Sequence, residues 1–91
     1  MIRWLSLASV DLEKIYDFIV KDNPEAAESE INRILDAVES LIEHPAMGRP
    51  GRVAETRELI VRNYIVAYRV KDETIQILRI LHAKREWPKE M

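Results

Sequence analysis

The stretch Thr56–Trp87, TRELIVRNYIVAYRVKDETIQILRILHAKREW, decides the fold. Its apolar residues fall into three runs rich in Ile, Val, Leu and Tyr, namely Arg57–Val61, Tyr64–Lys71 and Thr74–His82, with only Arg62-Asn63 and Asp72-Glu73 between them. Runs of this composition joined by two-residue links predict consecutive antiparallel strands in tight hairpins. Turns of that length set Val61 opposite Tyr64 and Lys71 opposite Thr74, and side chains then alternate between the faces. One face carries Leu59, Val61, Tyr64, Val66, Tyr68, Val70, Ile75, Ile77 and Leu81, with Arg57 and Arg79 as its charges, and is expected to lie under helices. The other carries Glu58, Ile60, Ile65, Ala67, Arg69, Lys71, Thr74, Gln76, Leu78, Ile80 and His82, an apolar centre with a polar and basic rim. It is expected to be open.

Working upstream, Pro45–Glu55 (PAMGRPGRVAE) contains both glycines and two of the four prolines, together with Arg49 and Arg52, and is predicted to be a loop. Before it, Ala27, Ile31, Ile34, Leu35, Val38, Leu41 and Ile42 recur at helical spacing, from an Asn23-Pro24 start to an end at His44-Pro45. Ala8, Leu12, Ile15, Tyr16 and Ile19 do the same after Ser6, a candidate N-cap, and this helix runs to about Lys21. The short link makes the two helices an antiparallel hairpin whose apolar stripes need the sheet. Ile2–Leu5 is a short strand expected to join that sheet. The fold class is α+β: an N-terminal strand, an antiparallel helix hairpin and a three-stranded antiparallel meander, with the helices on one sheet face and a single domain over residues 1–91.

Composition narrows the function. Without cysteine there is neither a disulfide framework nor thiol chemistry, and no apolar run approaches a membrane span, so a cytoplasmic protein is expected. The net charge of −2 argues against a protein that lives on nucleic acid, yet residues 1–46 carry four bases against ten acids and residues 47–91 ten bases against six acids. An acidic peptide or a polyanion is therefore drawn to the sheet half. His44 and His82 stand apart in sequence and do not make a metal site, and no cofactor is expected.

The order strand, helix hairpin, Gly/Arg loop, meander and basic-aromatic end resembles the ParE/RelE superfamily of bacterial type II toxins. The resemblance is carried by Ala8, Asp11, Leu12 and Ile15, by Asn23-Pro24, by Pro45–Gly51, by Thr56–Leu59, by Tyr64–Val70 and by Ile80–Pro88. It implies a toxin that a cognate ParD-like antitoxin neutralises, often within a plasmid-stabilisation operon, with no sequence-specific DNA binding by this chain. It also implies one of two activities. RelE-like members cleave mRNA on the ribosome, which requires a proton acceptor, a proton donor and cations around the phosphate. ParE-like members bind and poison DNA gyrase.

In RelE-like nucleases an arginine follows the aromatic that begins the middle strand and lysines stand on the strand before. The corresponding positions here are Ile65, with Glu58 and Ile60 preceding it. His82 and Arg85 remain as the residues a nuclease would use. The same substitutions suit a docking surface, with Ile60, Ile65, Ala67, Leu78 and Ile80 as an apolar patch and Arg69 beside it, expected to receive an amphipathic segment of the antitoxin. Arg57, Arg85 and Trp87 are candidates for the toxic contact. Arg79 is expected to tie sheet to helix by an ion pair, whereas Arg57, near a strand end, suits a structural or a functional role. The sequence therefore points to a ParE-like gyrase inhibitor without catalytic residues of its own. The alternatives are a RelE-like endoribonuclease and a degenerate toxin that retains only antitoxin binding.

Overall fold

Val61 pairs with Tyr64 and Lys71 with Thr74 across two-residue turns in the computed structural model, which describes residues 1–84. Both turns use left-handed backbone. Arg62 has φ 55° in the first, and Asp72 and Glu73 have φ 51° and 62° in the second, so each matches the right-handed twist of its strands. They link β3 (Arg57–Val61), β4 (Tyr64–Lys71) and β5 (Thr74–His82). Ahead of these come β1 (Ile2–Trp4), α1 (Ser6–Val20), α2 (Pro24–Ser40) and β2 (Arg49–Pro50). The strands form one mixed sheet in the order β1-β5-β4-β3-β2, with β1 parallel to β5 and the other pairings antiparallel.

Local chemistry explains the helix boundaries. The Asn23 side chain accepts a hydrogen bond from Ala26 N at 3.1 Å with Pro24 in the first turn, as the Asn-Pro pair predicts. Helix α1 differs from expectation, since Leu5 rather than Ser6 is its N-cap and no side chain caps it. Leu5 N instead donates to Ile77 O at 3.0 Å, so the chain passes from sheet to helix without a free cap residue. Helix α2 stops at Ser40, short of the expected His44-Pro45. Leu41 still fills the core, but Ile42 is exposed, because the apolar periodicity outruns the surface available to cover it. Part of the expected Gly/Arg loop is strand: Arg49 and Pro50 pair with Glu58 and Arg57. Two residues are too few to show alternation.

The core lies between the helix hairpin and one sheet face. Ala8, Ile34, Val38 and Leu41 meet Leu59, Val61, Val66, Tyr68, Ile75, Ile77 and Ile80, with Leu12, Ile15 and Tyr64 at the margin. Ile80 belongs to this list because β5 carries a bulge. Tyr68 pairs with Ile77 but Ala67 pairs with Arg79, which leaves Leu78 as the extra residue and sets Ile80 opposite Val66. From there to its end β5 shows the helices the opposite side-chain phase from that predicted. Leu81, expected under the helices, instead lies opposite Ile65, and Val70 at the far end of β4 is exposed. Among the described residues no helix is long and apolar enough to cross a membrane.

Candidate functional site

The loop between α2 and β3 is fixed from both faces of the sheet. From the core side, the fully buried Tyr68 donates its hydroxyl hydrogen to Pro45 O at 2.7 Å and accepts from Gly48 N at 2.9 Å. A Cβ on residue 48 would stand 2.7 Å from that hydroxyl oxygen and 2.8 Å from the ring, closer than packing allows, so the approach requires glycine. Arg57 Nη1 donates to Gly48 O at 2.8 Å and to Ala46 O at 3.4 Å. From the outer face, Glu58, only 2% exposed, accepts from Arg49 Nε at 3.1 Å and Nη2 at 2.9 Å through one oxygen and from Arg52 N at 3.1 Å through the other. A carboxylate taken out of water needs such donors. The β2–β3 register delivers them by setting Arg49 directly opposite Glu58.

A second clasp closes the other edge. Strand β1 covers β5 only as far as Ile77, and beyond it the side chain of Asp11 on α1 takes the place of a neighbouring strand. Its Oδ2 accepts from Ile80 N at 3.0 Å and from Arg79 Nε at 2.7 Å, and its Oδ1 accepts from Arg79 Nη2 at 3.1 Å. The hydrogen bond to Asp11 raises the Arg79 guanidinium above its ordinary value, with their charge attraction, against an opposing effect of burial. The expected ion pair between helix and sheet at Arg79 is present. Its register is not the predicted one, since Arg79 lies opposite Ala67 rather than Val66.

The residues singled out in the sequence are not brought together as one open patch. Ile60 is 49% exposed, and Leu78 and Arg69 are half-buried. Ile65 is only 3% exposed, Ala67 is fully buried and Ile80, at 3%, is in the core. The bulge accounts for Ile80. Ile65 and Ala67 do lie on the outer phase of β4, but each stands between larger neighbours in register, Ile60 and Leu81 for the first and Glu58 and Arg79 for the second. A small side chain on a central strand is shaded by such flanks. Arg69 Nε donates to Gln76 Oε1 at 2.5 Å. The His82 ring meets Tyr64 edge to face at 5.4 Å and its Nδ1 accepts from Lys84 N at 3.2 Å, so it sits as a hydrogen-bonded residue at a strand end. Arg57 holds the loop. Arg85 and Trp87 lie outside the described residues. Among those described, no three His, Asp or Glu side chains gather as a metal site.

Sequence reasoning missed the two clasps. The signals were an acid, Glu58, alternating out of phase with Leu59 and Val61, and an acid, Asp11, one position from the core residue Leu12. Neither names its partner without the register of β2 or of the bulge.

Comparison with known proteins agrees with this geometry. A family profile described as the ParE toxin of the type II toxin–antitoxin system parDE matches residues 2–87. Y4kP of Sinorhizobium fredii is 44% identical over 89 residues, 96% of this chain and 92% of the relative. Toxin RelE2 of Caulobacter vibrioides is 35% identical over 82 residues, covering 90% of this chain and 93% of its own length. Among solved structures, a chain of the chromosomal ParDE system of P. aeruginosa superposes with a TM-score of 0.82 at 33% identity, over 91% of this chain and 95% of that one. A chain of the toxin–antitoxin complex RelBE2 of Mycobacterium tuberculosis gives 0.65 at 25% identity, over 90% and 95%.

Proposed function

The chain belongs to the ParE toxin family of type II toxin–antitoxin systems, and from that premise we propose that it arrests growth by binding DNA gyrase, without bond-making chemistry, and that a ParD-like antitoxin holds it inactive. The observation that carries the choice is that the arginines of the sheet are engaged within the fold. Arg49 is held by Glu58, Arg57 by loop carbonyls, Arg69 by Gln76 and Arg79 by Asp11. Phosphoryl transfer needs cations aimed at the charge that develops in the transition state, each worth several kcal/mol. At the position where the resemblance calls for one stands Ile65, shut off from water. His82 is occupied by Tyr64 and the Lys84 amide.

RelE-like mRNA cleavage is the second reading, and the names of Caulobacter relatives RelE2 and RelE3 favour it. It would have to run on His82 and Arg85. In the gyrase reading Arg85 and Trp87 make the toxic contact, while Arg57 serves the loop. Both targets are met in the cytoplasm. Induced expression tests the choice: filamentous cells with DNA damage and intact transcripts are expected, and immediate translation arrest with transcripts cut in ribosomal A sites would overturn it.

A further inference from the structure

Helix α1 has a second ordered face. At about 100° per residue, Ala8, Leu12 and Ile15 point to the core, whereas Leu7, Val10, Lys14 and Phe18 follow one another on the far side and reach the C-cap residue Lys21. Leu7, Val10 and Phe18 are all exposed, Phe18 to 70%. Single exposed apolar residues are ordinary, but three in a row over about 16 Å of helix make a patch.

Its charge runs against its surroundings. Residues 1–46 hold only four bases against ten acids, and two of those bases, Lys14 and Lys21, fall in this row. Neither forms an ion pair among the described residues. Asp11, beside the row, is already taken by Arg79 and Ile80, and Asp17 lies at its flank. The row is thus apolar and positive on a hairpin that is otherwise negative.

We propose that this row is where the antitoxin docks, through an acidic amphipathic helix whose apolar residues cover Leu7, Val10 and Phe18 and whose carboxylates meet Lys14 and Lys21. The proposal rests on the reading that an antitoxin holds this toxin inactive. It places the contact on the helix hairpin rather than on the sheet face where the sequence alone suggested it. No fold contact is lost on changing these side chains, so variants stay folded and report on binding.

The test measures the affinity of the folded toxin for the full-length antitoxin encoded beside it, by titration calorimetry at low and high salt. Phe18→Ser is expected to weaken binding at least ~10-fold, as removal of a central aromatic anchor does. Lys14→Glu combined with Lys21→Glu is expected to weaken it by a similar ~10-fold and to flatten its salt dependence. Ile42→Ser, exposed but off the row, should bind as the parent does. Parent-like affinity in Phe18→Ser, or in the double charge reversal, overturns the proposal. So does sedimentation showing that Phe18→Ser abolishes a toxin dimer while antitoxin affinity is unchanged, which would assign the row to a second copy of this chain. Growth arrest by Phe18→Ser without antitoxin is scored in parallel. Its failure counts against the toxin's proposed action and leaves the affinity result standing.

Discussion

Replacing Asp11 by alanine should destabilise the fold by about 3 kcal/mol. The carboxylate accepts two hydrogen bonds from Arg79 and one from Ile80 N, all between 2.7 and 3.1 Å. Hydrogen bonds to charged groups contribute roughly 1.5–3 kcal/mol each, and stripping one partner from a buried pair costs roughly 3–5 kcal/mol. The Arg79 and Asp11 side chains are 19% and 12% exposed, so solvent relieves part of the loss and the lower end applies. In a domain of this size about 3 kcal/mol lowers Tm by roughly 12–20 °C. Urea unfolding followed by circular dichroism measures it as a fall in the midpoint at constant slope. Arg79→Leu in the same background should restore part of the loss, giving a coupling energy of about 2 kcal/mol in a double-mutant cycle. Because Asp11 raises the folded-state pKa of Arg79, the arginine's share is fully present below its unfolded pKa and is lost only as pH rises through the folded value. The deficit of Asp11→Ala should therefore be equal at about pH 7 and about pH 9. A loss below ~1 kcal/mol would refute the claim that this carboxylate closes the sheet edge.

Other substitutions probe the loop, the faces and the turns. Gly48→Ala should destabilise by at least ~2 kcal/mol, read by thermal melting, because its Cβ would meet the buried Tyr68 ring and hydroxyl and neither can retreat. Ile80→Asp should unfold the protein while Ile60→Asp leaves circular dichroism and Tm near those of the parent, since the first residue is in the core and the second is exposed. Equal tolerance at both positions would contradict the bulge at Leu78. Glu73→Gly should stabilise by about 1 kcal/mol, because φ at Glu73 is 62°, which glycine adopts without strain.

The hairpins were legible because their turns are two residues long and the runs between them alternate cleanly up to Ile77. Beyond that point Ile77-Leu78-Arg79-Ile80-Leu81 places apolar residues on both phases, so periodicity allows either register. The bulge that resolves it, with Asp11 bonded to both Arg79 and Ile80 N, is a tertiary contact 68 and 69 residues distant in the chain. The same ambiguity hid the true exposure of the expected docking patch. Burial on a central strand depends on the neighbours on both sides, and alternation says only which face a residue is on. The outer row of α1 escaped notice for a simpler reason. Ala8, Leu12 and Ile15 already accounted for a helix, and Leu7, Val10 and Phe18 stand out only once their burial is known. The Arg49–Glu58 clasp needed a strand of two residues, too short to leave a pattern.

The most direct measurement sets the purified toxin, in parallel, against gyrase supercoiling a relaxed plasmid and against ribosomes holding a defined message. A protein whose sheet arginines are committed to its own carboxylates and carbonyls should stall supercoiling or trap gyrase-cut DNA, and return the message at full length. Message cut at the vacant codon, with supercoiling untouched, would contradict the account.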